Sequence, residues 1–286
     1  MLKQTEHIER LRWLCTQDKR VIGAVLYGSF TVGEGDAHSD IEAALFFDDA
    51  GLAKLDKRSW LEHIAPVSMF FIDDFGHYTA VFSDMVRAEF HFKPRSQMSI
   101  VGTWRGNAHF PSLDDAILVD RSGELTKLLQ PLAGAAPKRD SADTAQSVNA
   151  NFINVMLFGL NTLARGELAR AHDLLHLSHR HLLHMARLLA GNTTHWPNPR
   201  RLLECDLPAQ DYARFRACVP ALTDTDVQRA YGATWAWGKE MMRALCKQHG
   251  LHLPEDVVDH INDRIPQPVR QDEQNLFDRM NRMADE

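Results

Sequence analysis

Residues 27–46 read YGSFTVGEGDAHSDIEAALF, and their pattern decides the fold of the first half. The apolar, β-branched run VIGAVLY (21–27) that ends at Tyr27 predicts a buried strand. Gly28 and Ser29 follow it as a turn. A glycine lets an anion approach the backbone closely, and the serine adds a hydroxyl beside the amides that open the next short helix, which makes an anion site. Ten residues separate Ser29 from Asp40, where a second strand-like run, IEAALFF (41–47), begins. With a side-chain period of two, Asp40 and Glu42 leave the same face while Ile41 points into the core. Two carboxylates on one face suit a hard cation.

The alternative is an ordinary Gly-Ser turn and two acids on the solvated face of an edge strand. Either feature alone is common; their coincidence, with apolar strands on both sides, favours a single phosphate-and-metal site. Mg²⁺ takes one or two carboxylates together with substrate phosphates and water, which these half-sites supply jointly. Such a site stabilises charge developing on a nucleotide's α-phosphate while a hydroxyl attacks in line with departing pyrophosphate.

Working outward, Ile8, Leu11 and Leu14 in residues 3–17 recur at spacings of three and predict an amphipathic helix. Further strand-like runs are VSMFFI (67–72), MVRAEFHF (85–92) and AILVD (116–120), so the first half predicts a mixed sheet flanked by helices. PLAGAAPKRDSAD (131–143) concentrates Pro, Gly, Ala and charge, and beyond it strand patterns give way to helical periodicity. The expected domains are therefore 1–135 and 140–286. In the second, runs from Asn151 to Arg165, Glu167 to Leu189 and Thr223 to about Gly250 predict a helical bundle. THWPNPRR (194–201) reads as a loop because Pro197 and Pro199 lack the donors a helix needs, and the polar tail from Arg270 onward reads as a surface or frayed helix.

Composition narrows the function. With 286 residues and 44% hydrophobic content, the chain has enough apolar material for two cores. A net charge of −6 argues against a protein that coats nucleic acid, and a small or cationic substrate fits better. No apolar stretch approaches the roughly 20 residues of a membrane span. The start, MLKQTEHIER, lacks a signal peptide's apolar run, so a cytoplasmic location is expected. Cys15, Cys205, Cys218 and Cys246 are widely scattered and are expected as free thiols.

Gly28, Ser29, Asp40, Ile41 and Glu42 in this arrangement resemble the signature of the DNA polymerase beta-like nucleotidyltransferases: Gly-Ser, a spacer near this length, then Asp-x-Asp/Glu. The longer string YGSFTVGEGDAHSDIE, with the helical second half and HWPNPRRLLECDLP, is similar to the lincosamide nucleotidyltransferases of bacteria. The resemblance implies an α+β fold, with an N-terminal nucleotidyltransferase mixed sheet and a C-terminal helical domain contributing to the acceptor pocket. It implies transfer of a nucleoside monophosphate, typically AMP from ATP, to a hydroxyl of a lincosamide antibiotic. Pyrophosphate would leave, with Mg²⁺, as two ions, held by Asp40 and Glu42 and the phosphates by Gly28 and Ser29. It also implies a homodimer. Glu42 stands where many superfamily members have Asp, which adds a methylene.

The resemblance calls for a third carboxylate, and Glu89 answers it: alternation puts Arg87, Glu89 and His91 on one face of their strand and Val86, Ala88, Phe90 and Phe92 on the other. Glu89 is then either the general base toward the acceptor hydroxyl or a third metal ligand. The chief competing feature is His172, His176 and His179, spaced i, i+4, i+7, a possible transition-metal face. Helical projection groups them with Asp173, Arg180 and Arg187, opposite Leu174, Leu177, Met185 and Leu188, which favours a solvated polar face. His195, Trp196 and Arg200 in the Pro-rich loop either line an acceptor pocket or brace the bundle. Two other functions stay open: transfer to an aminoglycoside or another hydroxylated compound, and a non-catalytic or toxin–antitoxin regulatory protein of the same fold.

Overall fold

The sheet of the first unit has the strand order β3-β4-β5-β2-β1-β6. Its strands are β1 (Val21–Tyr27), β2 (Ile41–Phe47), β3 (Val67–Ile72), β4 (Tyr78–Phe82), β5 (Arg87–Pro94) and β6 (Ile117–Asp120) in this computed structural model, which describes residues 1–265. The β2–β5 pair is parallel and the other pairs are antiparallel. The chain divides into two compact units, Met1–Pro137 and Lys138–Glu286.

Central strands β1 and β2 are apolar along nearly their whole length because both faces are covered. On one side α1 (Lys3–Gln17) buries Ile8, Leu11, Leu14 and Cys15 in a core with Leu26, Ile41, Leu45 and Phe92. On the other, Val25, Ala44 and Phe46 pack with Met98, Val101, Phe110 and Leu125. Short helices α2 (Asp49–Ala53), α3 (Lys57–Leu61), α4 (Leu113–Ala116) and α5 (Glu124–Leu129) fill the connections. Strand β4 is an addition to the sequence expectation. It is five residues long and joins β3 through a turn in which the Asp73 amide donates to the His77 carbonyl at 2.9 Å. The expected strand from residue 85 begins instead at Arg87, since Met85 sits in a turn at φ 70°.

The second unit is helical: α6 (Ala142–Ala164), α7 (Leu168–Leu189), α8 (Leu203–Asp206), α9 (Ala209–Cys218), α10 (Asp224–His249) and α11 (Glu255–Arg264). Ser141 and Thr223 cap α6 and α10 by accepting from the Thr144 and Asp226 amides, each at 3.2 Å. Tyr231 on α10 donates to the Ala171 carbonyl on α7 at 2.7 Å while its ring lies over Gly159 of α6, where a Cβ would stand 2.2 Å from the phenol oxygen. Only a glycine admits that approach. Trp235 and Trp237 are core residues, and residues 194–201 are non-helical as expected. Helices α9 and α11 were not expected, and the polar tail from Arg270 lies outside the described residues.

The projected face of α7 needs correction. His179 and Arg187, grouped above with solvent-facing residues, are buried, whereas Leu177 is 52% exposed. The helix is covered over a wide arc, and the non-helical segment after it, together with the end of α8, supplies the acceptors a buried guanidinium needs. Arg187 donates to the carbonyls of Pro199 (3.0 Å) and Arg201 (2.7 Å) and to Asp206 Oδ2 (2.7 Å).

Candidate functional site

Gly28 closes β1 at φ 78°, ψ −155°, a region that side-chain-bearing residues avoid. A Cβ there would stand 1.5 Å from Glu42 Oε2, so bare backbone packs directly against the Glu42 carboxylate. Ser29–Thr31 then form a single 3₁₀ turn, in which the Thr31 amide and hydroxyl both donate to the Gly28 carbonyl, at 3.1 and 2.8 Å. Farther along the spacer, Asp36 Oδ1 accepts from the His38 amide (2.8 Å) and the Ser39 hydroxyl (2.9 Å). Gln4 of α1 donates to the carbonyls of Ala37 and Ser39. The chain is thereby delivered into Asp40 in a defined conformation.

Register places the next groups. Glu42 pairs with Tyr27 on β1 and with Glu89 on β5, and Glu89 pairs in turn with Thr79 on β4. Partners in register project from the same face, so Tyr27, Glu42 and Glu89 form a row across three strands. Asp40 precedes Glu42 by two residues; its Oδ2 accepts from Arg87 Nη1 at 2.5 Å. The other Arg87 nitrogen, Nη2, lies 3.5 Å from Glu89 Oε2 and 4.0 Å from Asp73 Oδ2. Burial works against the Arg87 charge, but the Asp40 and Glu89 carboxylates outweigh it and its pKa rises.

Glu89 Oε1 accepts from the Tyr27 phenol at 3.2 Å and lies 3.1 Å from His77 Nδ1 and 3.3 Å from His91 Nε2. The two imidazoles stand with centroids 4.1 Å apart. Burial, followed by the charges of Glu89 and Glu42, pushes the Tyr27 phenol up, so it remains a proton donor. Burial and then the neighbouring His77 push the His91 imidazole down, against the pull of Glu89.

Glu42, Glu89 and the Gly28 backbone are therefore brought together, and Asp40 is turned to Arg87. Among the described residues, three ligating atoms come within 4.8 Å of one another at His77, Glu89 and His91 and not at Asp40, Glu42 and Glu89. The donor chemistry still fits Mg²⁺: Asp40, Glu42 and Glu89 are hard oxygen donors, and the bare Gly28 backbone lies against the Glu42 carboxylate. Arg87 takes Asp40 Oδ2, and the carboxylate has a second oxygen with which to ligate. Tyr27, His77 and the Arg87–Asp40 pair were missed by sequence reasoning. Tyr27 was recoverable, since it ends the strand that leads into Gly28. His77 was not, without β4.

The loop residues of the helical unit separate on inspection. His195 Nδ1 is 2.6 Å from Asp206 Oδ2, and Trp196 stacks on His184 at 4.1 Å, so both brace the bundle. Arg200 donates to the His176 carbonyl at 2.8 Å and lines an open groove of about 430 Å³ with Glu204, Tyr212, Phe215 and Arg216. His172, His176 and His179 do not gather as a metal site, since His179 turns inward to Thr234 Oγ1 at 3.3 Å.

Residues 141–264 match the family described as "Lincosamide nucleotidyltransferase-like, C-terminal domain". No curated protein matches the chain. Among solved structures, the chain is similar to an aminoglycoside 6-adenyltransferase from Bacillus subtilis, with 14% identity and a TM-score of 0.42 over 93% of this chain and 100% of that one. It is also similar to a nucleotidyltransferase-like protein from Exiguobacterium sibiricum 255-15, with 15% identity and a TM-score of 0.39 over 85% of this chain and 77% of that one. No described helix is long and apolar enough to cross a membrane.

Proposed function

Starting from a chain that is lincosamide nucleotidyltransferase-like in its helical unit, we propose that the protein transfers AMP from ATP to a hydroxyl of a lincosamide antibiotic. The acceptor oxygen forms a bond to the α-phosphorus, the bond from that phosphorus to the bridging oxygen breaks, and pyrophosphate leaves. The observation that carries this reading is the row of register partners: Glu42 lies against side-chain-free Gly28 and is paired with Glu89 on the parallel strand β5. Hard carboxylates gathered beside a side-chain-free backbone turn suit nucleotidyl transfer.

In this reading Gly28 and Ser29 receive the phosphates, and Asp40 and Glu42, with Glu89 as a third donor, hold up to two Mg²⁺ ions. The ions supply charge neutralisation at the phosphates. Glu89 takes the acceptor's proton as general base, while Tyr27, a donor to Oε1, fixes the orientation of its carboxylate. Arg87 holds Asp40 in place until nucleotide and cation arrive. We assign donor chemistry to residues 1–135 and acceptor choice to residues 140–286, where the family match falls. A cytoplasmic homodimer, with no nucleic-acid partner, completes the proposal.

Incubation with Mg-ATP and a panel of lincosamides, aminoglycosides and proteins, followed by mass spectrometry, is expected to show an adenylyl adduct on a lincosamide. An adduct on an aminoglycoside alone overturns the acceptor and keeps the donor chemistry; no adduct on any acceptor, with folded protein, overturns the transfer itself. For Glu89, turnover left intact in Glu89→Gln while Asp40→Asn abolishes it removes the general-base role.

A further inference from the structure

The His77–Glu89–His91 cluster has more nitrogen donors than nucleotidyl transfer asks for. Glu89 Oε1 stands 3.1 Å from His77 Nδ1 and 3.3 Å from His91 Nε2. Two ligands each about 2.1 Å from a tetrahedral ion stand about 3.4 Å apart, so both separations are those of donors awaiting a shared cation. His77 Nδ1 is shut off from solvent and, despite its nearness to Glu89, makes no aligned hydrogen bond. A buried ring nitrogen beside a carboxylate oxygen without such a bond is an unsatisfied donor or an unused ligand.

The surroundings hold these groups still. His91 lies in the middle of β5, and His77 enters β4 with its amide donating to Asp73 Oδ1 at 2.9 Å. Tyr27 donates to Glu89 Oε1 at 3.2 Å, a contact of the kind that orients a ligating carboxylate. Glu89 and the two histidines are all partly buried, so an ion would be held with a position left over for water.

We propose that His77, Glu89 and His91 form a binding site for a borderline transition-metal ion of the Zn²⁺ class, distinct in its donors from the Asp40–Glu42 pair and sharing only Glu89 with it. Imidazole nitrogen suits Zn²⁺ and Co²⁺, whereas Mg²⁺ prefers oxygen, so the two donor sets select different ions. The site depends on the sheet face alone and holds whether or not the chain transfers nucleotides.

Co²⁺, whose visible absorption reports nitrogen and oxygen ligation directly, is the probe. Titration of the chelator-stripped full chain is expected to give d–d bands that saturate at one equivalent, persist in millimolar Mg²⁺ and vanish when Zn²⁺ is added. His77→Asn and His91→Gln, each checked for folding by circular dichroism, are expected to weaken Co²⁺ binding by roughly tenfold or more. Either variant suffices if the other fails to fold. The double substitution His172→Asn/His176→Gln is expected to leave the bands unchanged. Absence of bands in the parent protein, bleaching by Mg²⁺, undiminished binding by the His77 and His91 variants, or loss in the helical double variant would each overturn the site. None of these readouts uses nucleotidyl transfer, so the two proposals fail separately.

Discussion

The histidines of the sheet and those of the helical unit are the same residue placed in opposite settings. His77 and His91 stand beside the carboxylate of Glu89 on a partly buried face. His179 and His184 are buried in the helical unit. His179 has Thr234 Oγ1 and the edge of Phe215 as its neighbours, and burial, reinforced by the Arg200 charge, brings its pKa down to about 3. His184 donates to the Trp196 carbonyl at 2.9 Å, and burial brings its pKa down to about 4. In the sheet two imidazoles share one carboxylate with a phenol, whereas in the helical unit burial keeps His179 and His184 as neutral packing groups.

The largest expected effect tests whether the sheet face is where reaction occurs. Asp40→Asn and Glu42→Gln should each lower adenylyl transfer by about a thousandfold, the equivalent of about 4 kcal/mol, with the melting temperature little changed. A folded Glu42→Gln protein with near-parental turnover would remove the distinction between the two regions.

Next in size is a stability effect confined to the helical unit. Arg187→Met leaves Asp206 and two loop carbonyls without the buried guanidinium that they surround. Loss of about 3 kcal/mol or more is expected in urea denaturation, because breaking one side of a buried pair strands its partner. An Arg187→Met protein as stable as the parent would show that the loop finds other donors.

A smaller effect follows from pH. The folded pKa values of His179 and His184, about 3 and about 4, lie below the ordinary 6.5. Their contribution is complete above pH 6.5 and is lost as pH falls through about 4 for His184 and about 3 for His179, because over that range the unfolded chain binds protons that the folded one refuses. Thermal melting followed at 222 nm should therefore decline over that window, and His184→Gln should flatten the slope; an identical slope in the variant would mean that other groups set the acid limb. The smallest change is Tyr27→Phe, which removes the bond to Glu89 and should reduce turnover only severalfold, the equivalent of about 1 kcal/mol.

How far the site could be read beforehand depends on the range of each interaction. Gly28, Ser29, Asp40 and Glu42 lie within fifteen consecutive positions, and strand alternation alone sets the face of the two acids. Alternation likewise put Arg87, Glu89 and His91 opposite Ala88, Phe90 and Phe92, as the burial pattern of β5 shows. The Arg87–Asp40 pair spans 47 positions and depends on β2 and β5 being parallel neighbours, which no local pattern encodes. His77 joined the cluster through β4, a strand that the sequence reading did not anticipate. Arg187 was misplaced because helical projection treats charge as solvent-facing, and its acceptors belong to another segment of chain.

By itself, then, the amino-acid order determined the succession of a sheet half and a helical half, the glycine turn after the first strand, and the face on which each strand's acids emerge. These follow from backbone sterics and side-chain period, which act over a few residues. The partners of those acids were decided by the tertiary structure: Arg87 on Asp40, Tyr27 and two imidazoles on Glu89, and bare backbone on Glu42. Electrostatics act through space, and only strand register brings positions so distant in sequence within a few ångströms.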